Sequence, residues 1–477
     1  MKSKAWLGFE ISRDNDLPLY EQICNALRQQ AIRGDLPPQT RLPPTRSLAV
    51  ELGVSRSTVI NAYEQLVAEG YLTSLPGSGY SLSGAGGVEL LPPSHQDNQH
   101  KSKTAAALDT EAAESLNVPR PPYGASLPDM DLFPHKPWAR TVAQICRRDP
   151  RSLTINTDPR GNPELRAAIA RHLADWRGIQ TNPSQIFITA GAIDALELCL
   201  RTLCRQGDPI ALENPGYLPL RQFVQSLGLT PSYLPLDTQG ATLPKSQDRS
   251  RIAVLTPSHQ YPMGGTMSPE RRSRFIQWAQ AHRGWLIEDD YDSEFRFAGR
   301  PIPALAGFDP HRTLYIGSFS KILSSNLRLG YLVVPDKLIE PCLQTLSRFG
   351  SKASLMPQRP LAEFIDNGEF YRHLRRMRRI YNERRQYLIG RLSTEFSCYG
   401  TVLDHQAGMQ LVFVMNPPFD DQQLAEQLQQ QGMMLTALSS YYAGKAEQRG
   451  LIFGYSGLDI DDLGSQLDAL QLLLRPG

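Results

Sequence analysis

The stretch TLYIGSFSKILSSNLRLGYLVV, residues 313–334, decides the fold of this chain. An apolar run from Leu314 to Ile316 leads into a small, hydroxyl-rich turn, and a second apolar run extends from Leu329 to Val334. Both runs have the length and composition of buried strands. The turn between them holds one lysine, Lys321, and one arginine, Arg328. We therefore predict a functional site between two strands of a sheet.

The turn carries groups that suit a phosphorylated carbonyl compound. A lysine at a strand end can be desolvated, which lowers its pKa and lets its amine attack a carbonyl to form a Schiff base. Ser318 offers a phosphate a hydroxyl donor, and Arg328 offers a bidentate guanidinium. A solvated loop lysine is the alternative interpretation of Lys321, because so short a motif also matches by chance.

An acidic strand end upstream supplies a partner for a pyridoxal phosphate ring. Residues 285–292 read WLIEDDYD, an apolar strand that ends in acidic residues. The ring nitrogen of this cofactor needs a carboxylate. Asp289 is the candidate, and Tyr291 is placed to reach the ring's phenolic oxygen. We interpret Asp290 and Asp292 as a solvated acidic turn.

Two strand-to-helix turns extend the predicted cofactor site. Gly191 and Ala192 follow the strand IFIT and open a helix, whose unpaired N–H groups can cradle a phosphate. Tyr217 follows the strand PIALE and can stack on a planar ring. Taken alone, Tyr217 is more simply a packing aromatic. Together the segments fit one cofactor.

In this order, the segments from about Pro119 to the C-terminus resemble aminotransferase class I, the pyridoxal phosphate enzymes of fold type I. The segments at 158–166 (DPRGNPELR), 256–265 (TPSHQYPMGG) and 287–297 (IEDDYDSEFRF) are similar to the version found in the MocR/GabR regulators. The resemblance implies one role for each matching residue: Lys321 as the Schiff-base lysine, Asp289 as the ring-nitrogen partner, Tyr217 as the stacking ring, and Ser318 with Arg328 as phosphate ligands.

Some positions depart from the aminotransferase pattern. Tyr261 stands where many of these enzymes have an asparagine that contacts the ring oxygen. Asn156 is the nearest match to a tyrosine that commonly reaches the partner subunit's phosphate. Leu451 occupies the region of the usual arginine for a substrate carboxylate, which leaves Arg449 and Arg221 as weak candidates for that role.

Residues 1–84 carry a separate, mostly α-helical pattern. A helix through Ile23 and Leu27 is followed by a short helix that breaks at Gly53, and a third helix begins at Ser55. Two helices joined by a glycine-containing turn form a helix-turn-helix, whose second helix enters the major groove by its N-terminal residues. Those residues are Ser55, Arg56, Ser57, Thr58 and Asn61.

The pattern of residues 71–82 predicts a β-hairpin that would form a wing. The whole module, residues 1–84, is similar to the GntR winged-helix domain. The resemblance implies backbone and base contacts from Arg46, Arg56 and Ser57, and a minor-groove contact from the wing at Gly77. The alternative is a small protein-interaction domain, because basic and acidic residues balance within the module and phosphate neutralisation normally dominates DNA affinity.

Composition and pattern place these modules in one multi-domain chain. The 477 residues exceed a single core, and 41% hydrophobic with 21% charged residues is globular composition. We find no membrane-spanning run and no signal-peptide core, and the six scattered cysteines lack metal-site spacing, so we expect a cytoplasmic protein with reduced thiols and no bound metal. Residues 85–118 are predicted to be a flexible linker.

From Pro119 onward, strand-length apolar runs alternate with helices. This order predicts a large α/β domain whose mixed sheet is mainly parallel, over residues 119–477, with a small α+β subdomain at 335–477. In such sheets, ligands gather at the C-terminal ends of strands, where Gly191, Tyr217, Asp289 and Lys321 fall.

The combined prediction is a pyridoxal 5'-phosphate-dependent transcriptional regulator. It would bind double-stranded operator DNA as a homodimer and sense pyridoxal phosphate or an amino compound through an aldimine at Lys321. The alternative is a turnover aminotransferase with an appended DNA module; we favour no turnover, and a residual transaminase half-reaction stays open. A third hypothesis, a scaffold that only dimerises, is disfavoured because Lys321, Asp289 and Arg328 occur together.

Overall fold

The computed structural model describes residues 11–12, 17–33, 36–37, 39–68, 71–75, 79–83, 126–155, 158–298, 302–433 and 435–474. The chain divides into two compact units, Met1–Asn117 and Val118–Gly477. The predicted linker, 85–118, lies outside the described residues. Within the described ranges, no helix combines the length and apolar character needed to cross a membrane.

The first unit is a helix-turn-helix followed by a two-stranded wing. Its helices are α1 (Leu19–Arg33), α2 (Thr45–Leu52) and α3 (Arg56–Ala68), and its antiparallel strands are β1 (Leu72–Leu75) and β2 (Gly79–Leu82). Gly53 ends α2 at a φ of 66°, a left-handed conformation that favours glycine. The Ser55 hydroxyl accepts a hydrogen bond from the N–H of Thr58 at 3.1 Å and so caps α3. Val59, Tyr63 and Leu66 of α3 are buried in the core, as their spacing predicts.

The second unit alternates helices and strands. Its large-sheet portion contains α4 (His135–Arg148), α5 (Pro163–Arg177), β3 (Ile186–Thr189), α6 (Ala192–Leu203), β4 (Pro209–Asn214), α7 (Leu218–Ser226), β5 (Thr230–Asp237), β6 (Gly240–Ala241), β7 (Ile252–Leu255), α8 (Pro269–Ala281), β8 (Trp285–Asp290), α9 (Leu305–Phe308), β9 (Thr313–Ser318) and β10 (Gly330–Val333). The remainder contains α10 (Asp336–Phe349), α11 (Gln358–Asp366), α12 (Glu369–Glu395), β11 (Gly400–Leu403), β12 (Gln410–Met415), α13 (Asp421–Gln430), β13 (Thr436–Ala437), β14 (Gly450–Gly454) and α14 (Ile460–Leu474).

The large sheet is mixed, as the sequence predicts. Its order is β3-β10-β9-β8-β7-β4-β5-β6. The ladders from β9 through β8, β7 and β4 to β5 are parallel, and β10 is antiparallel to both of its neighbours. A smaller antiparallel sheet, β11-β12-β14-β13, forms towards the C-terminus.

The two faces of the large sheet are both buried, which explains its nearly continuous apolar strands. Along β8, Leu286 packs into one cluster with Trp278 of α8, and Ile287 packs into the opposite cluster with Leu196 of α6. Asp289, two residues after Ile287, therefore lies on the α6 side, at the C-terminal end of the strand. This edge is where a parallel sheet collects a ligand site.

Candidate functional site

Lys321 lies in the turn that follows β9. Its Nζ atom donates a hydrogen bond to the backbone carbonyl of Ser126 at 2.9 Å. Burial lowers the pKa of the Lys321 amine, and the carboxylates of Asp292 and Asp289 act in the opposite sense. Lys321 therefore loses its proton more readily than a solvated lysine, which favours the neutral, nucleophilic form of the amine.

The Asp289 carboxylate is buried and incompletely satisfied. Asp289 is 8% exposed, and its Oδ1 atom has no hydrogen-bond partner among the described residues. Burial raises the pKa of Asp289 to about 7, and the neighbouring carboxylates Asp290 and Glu213 add to this rise. Lys321 has the opposite, smaller effect. A buried acceptor without a donor costs about 1–3 kcal/mol. A protonated ring nitrogen would satisfy this oxygen, so the residue fits pyridoxal phosphate.

Gly330 joins the strand ends that carry the predicted phosphate ligands. It pairs with Thr189 of β3 and with Ser318 of β9. A Cβ atom at position 330 would lie 2.9 Å from the Cα of Gly191 and 3.0 Å from the carbonyl oxygen of Gly317, so the close approach requires glycine. The register thus places the start of α6 beside the end of β9.

The phosphate end of the site combines an open helix terminus with hydroxyl groups. Gly191 precedes Ala192, the first residue of α6, at a φ of 112°, and no atom lies within 4 Å of the position a Cβ would take. The Ser318 hydroxyl lies 2.6 Å from that of Ser320. Arg328 ends the following short helical turn at a φ of 48° and has an exposed side chain. Helix N–H groups, hydroxyls and a guanidinium form a donor set that suits a phosphate.

Aromatic residues line the space beside Asp289. A cleft is bordered by Asp289, Tyr217, Tyr261 and Glu213. Tyr217 precedes α7, and its ring meets Tyr261 edge to face with 5.4 Å between centroids. Tyr261 also meets Tyr291 edge to face at 5.5 Å. The cleft therefore offers flat apolar surface and buried acid to a planar, cationic ring.

The interpretation of Asp290 and Asp292 as a solvated acidic turn is wrong. Asp290 is buried, forms an ion pair with Nε of Arg177 at 2.8 Å and accepts a hydrogen bond from the Tyr315 hydroxyl at 2.5 Å. Asp292 is also buried, and both its oxygens lie 3.0 Å from Nδ1 of His259. Partners distant in sequence enclose these acids, which the local pattern does not reveal.

The predicted DNA-reading residues cluster at the start of α3. Ser55, Arg56, Ser57 and Asn61 are exposed there, and Thr58 is half-buried. Arg46 is exposed on α2. The Nε of Arg56 lies 3.5 Å from the Thr45 hydroxyl, which brings the two helices' polar ends together. Gly77 lies outside the described residues.

Comparisons with known proteins match both units. The model of the family "Aminotransferase class I and II" matches residues 127–452, and that of "Bacterial regulatory proteins, gntR family" matches residues 19–81. A probable rhizopine catabolism regulatory protein, MocR of Rhizobium meliloti, is 36% identical over 97% of this chain and 94% of its own. The chain belongs to the MocR-type family of helix-turn-helix regulators.

Other similar proteins agree with this MocR-type assignment. The pyridoxine biosynthesis transcriptional regulator PdxR of Corynebacterium glutamicum is 33% identical over 93% of each chain. The structure of an archaeal alanine:glyoxylate aminotransferase matches with a TM-score of 0.68, at 23% identity, over 77% of this chain and 94% of that one. The second similarity shows the fold, which is that of the pyridoxal phosphate-dependent aminotransferases.

Two site residues of this MocR-type chain escaped the sequence reasoning. Ser126, which accepts the hydrogen bond of Lys321, is separated from it by 195 residues, and its surroundings give no signal. His259 lies within TPSHQYPMGG, a segment that resembles the MocR/GabR regulators. That resemblance was the sequence signal that could have identified His259 as a site residue.

The two candidate arginines for a carboxylate differ in position. Arg449 is exposed, and its Nη1 pairs with Asp420 at 2.8 Å on the small sheet's side of the unit. Arg221 is half-buried on α7 and lines the same cleft as Tyr217 and Asp289. Of the two, Arg221 is the one that borders the predicted cofactor site.

Proposed function

We propose that this chain is a DNA-binding regulator whose second unit binds pyridoxal 5'-phosphate at Lys321 and senses the cofactor or an amino compound. One observation carries the proposal: a lysine of lowered pKa and a buried, unsatisfied aspartate, Asp289, occur together in a chain that also holds a helix-turn-helix. A regulator of operator binding needs both parts, whereas an enzyme needs only the first.

Each residue has a role that follows from its chemistry. When bound, pyridoxal phosphate supplies an aldehyde that reacts with amines and a ring that withdraws electrons. Lys321 is the amine that would hold it. Asp289 would hold the proton on the ring nitrogen, Tyr217 would stack on the ring, and Tyr291 would donate to its phenolic oxygen. The phosphate ligands would be Ser318, Arg328 and the N–H groups of Gly191 and Ala192.

The first unit supplies the operator contacts in this proposal. Arg46, Arg56, Ser55 and Ser57 are exposed donors with the lengths and shapes that phosphates and base edges require. A helix-turn-helix reads paired half-sites as a dimer, so we infer a homodimer on double-stranded DNA.

Cofactor labelling and DNA binding, measured on the same protein, test the proposal. Purified protein loaded with pyridoxal phosphate is reduced with borohydride, digested, and searched for the modified peptide. We expect the label on Lys321. The Lys245→Ala variant, which removes an exposed lysine, is the matched control and should still be labelled on Lys321. Operator DNA selected from a random library is then titrated with and without cofactor and a panel of amino compounds, at one salt concentration. A label on another lysine, or DNA binding indifferent to every compound, would refute the proposal.

The second candidate function is a turnover aminotransferase with an appended DNA module. It is favoured by the joint presence of Lys321 and Asp289 in an aminotransferase fold. Against it, Arg449 near the usual arginine position is paired with Asp420, which leaves Arg221 at the edge of the cleft as the candidate for a substrate carboxylate. Repeated amino transfer from a donor to a keto acid, above that of a Lys321→Ala control, would establish this function instead.

A further inference from the structure

A buried histidine–aspartate pair stands behind one of the cofactor-facing residues. Nδ1 of His259 lies 3.0 Å from each carboxylate oxygen of Asp292 and 2.9 Å from the hydroxyl of Tyr291. One nitrogen thus meets three oxygens. His259 and Asp292 are 4% and 1% exposed, so both groups are withdrawn from bulk solvent.

The shared nitrogen cannot serve both partners in the same way. If Nδ1 carries a hydrogen, it donates to the carboxylate and has no lone pair left to accept from Tyr291. If Nδ1 lacks a hydrogen, it accepts from the Tyr291 hydroxyl, but its lone pair then faces the oxygens of Asp292. A buried carboxylate without a donor is the costlier arrangement. The network therefore favours the hydrogen on Nδ1, directed at Asp292.

The surroundings hold the imidazole in this position. A Cβ at Gly408 would collide with Cε1 of His259, and a Cβ at Gly264 would lie 3.2 Å from its Nε2. The titratable groups that face the pair include His405 beside the imidazole. Around Asp292 they include Asp289, Asp290, Lys321, Tyr261 and Tyr455. His259 lowers the pKa of Asp292, against the dominant effect of burial.

We propose that His259 and Asp292 are positioning residues that reserve the hydroxyl hydrogen of Tyr291 for the cofactor. With Nδ1 committed to Asp292, the Tyr291 hydrogen must find its acceptor elsewhere. The Tyr291 ring meets Tyr261, a residue that lines the cleft, edge to face with 5.5 Å between ring centroids, so Tyr291 packs directly behind the cleft wall. The inference rests on the proposed function, because the phenolic oxygen of pyridoxal phosphate is the acceptor it assigns.

The test measures the pH midpoint of the visible absorption of the full-length, cofactor-loaded protein. Tyr291→Phe removes the donor and defines the full shift, which we expect to be about one pH unit, a tenfold change in the proton equilibrium. His259→Leu should shift the midpoint in the same direction. His259→Asn places an amide donor near the position of Nδ1 and should restore a midpoint close to that of the unsubstituted protein.

A double-mutant cycle separates positioning from packing or direct charge effects. His259→Leu should cause no further shift when Tyr291→Phe is already present. Equal shifts in the tyrosine and phenylalanine backgrounds, or no shift in either, would overturn the inference. Should His259→Leu fail to fold by circular dichroism, Asp292→Ala, which removes the acceptor of the Nδ1 hydrogen, takes its place in the cycle with the same expectation. Absence of any cofactor absorption in the unsubstituted protein would overturn the proposed function itself, and this inference with it.

Discussion

Asp289→Asn should stabilise the cofactor-free protein at alkaline pH. The pKa of Asp289 rises from 3.8 to about 7, chiefly through burial. Because the folded-state pKa lies above the unfolded one, the folded state binds more protons between these values, and stability falls as pH rises from about 4 to about 7. One pKa unit corresponds to about 1.4 kcal/mol, so the charged carboxylate costs the fold about 4 kcal/mol at pH 8. Asparagine carries no such cost.

Denaturant unfolding at several pH values measures this effect. Four of the five tryptophans, Trp138, Trp176, Trp278 and Trp285, lie in the second unit, so tryptophan fluorescence chiefly follows its unfolding. The free energy of unfolding of Asp289→Asn should exceed that of the unsubstituted protein by about 4 kcal/mol at pH 8 and match it closely at pH 4. Glu426→Gln, an exposed carboxylate in mid-helix, is the control and should show no such trend. A difference that does not grow with pH would refute the reasoning.

The remaining predictions concern the two binding activities and the packing at the strand ends. Lys321→Ala should leave operator binding intact in a DNA titration but abolish its response to pyridoxal phosphate or amino compounds. Arg56→Ala should weaken operator binding by about 1–3 kcal/mol if the side chain reads a guanine, with an unchanged cofactor spectrum. Gly330→Ala should reduce the thermal stability of the second unit and its affinity for pyridoxal phosphate, because its Cβ would lie 2.9 Å from the Cα of Gly191; an unaltered cofactor titration would contradict that.

The sequence predicts much of the sheet because buried strands leave a local signal. The predicted strand IFIT coincides with β3 (Ile186–Thr189), and the helix expected at Gly191 and Ala192 is α6, which begins at Ala192. β5 (Thr230–Asp237) escaped prediction. Its segment, TPSYLPLD, contains two prolines, which cannot donate to a ladder and argue against a strand from local sequence alone.

Site residues were predictable where the topology alone brings them together. Asp289 lies at the C-terminal end of β8, and Lys321 follows β9; these two strands are parallel, so their C-terminal ends share an edge. The burial of Asp290 and Asp292 was not predictable, because it depends on Arg177 and His259, which approach from other segments. Charged residues at a strand end carry no local mark that distinguishes a solvated turn from a paired, buried one.

The electrostatics of the unloaded site bear on how such a regulator could respond at all. A ligand shifts a conformational equilibrium only by its differential affinity for the two states. Asp289 and Glu213, each with a pKa raised to about 7, leave the unloaded site electrostatically unfavourable near neutral pH. A cation on a bound ring would offset that cost beside Asp289. Binding of pyridoxal phosphate would therefore change the electrostatic free energy of the second unit by an amount of the same order as a typical coupling between sites, about 1–3 kcal/mol. If Asp289→Asn removes that difference, it should also weaken the effect of pyridoxal phosphate on operator binding while leaving the affinity of the unloaded protein for DNA unchanged.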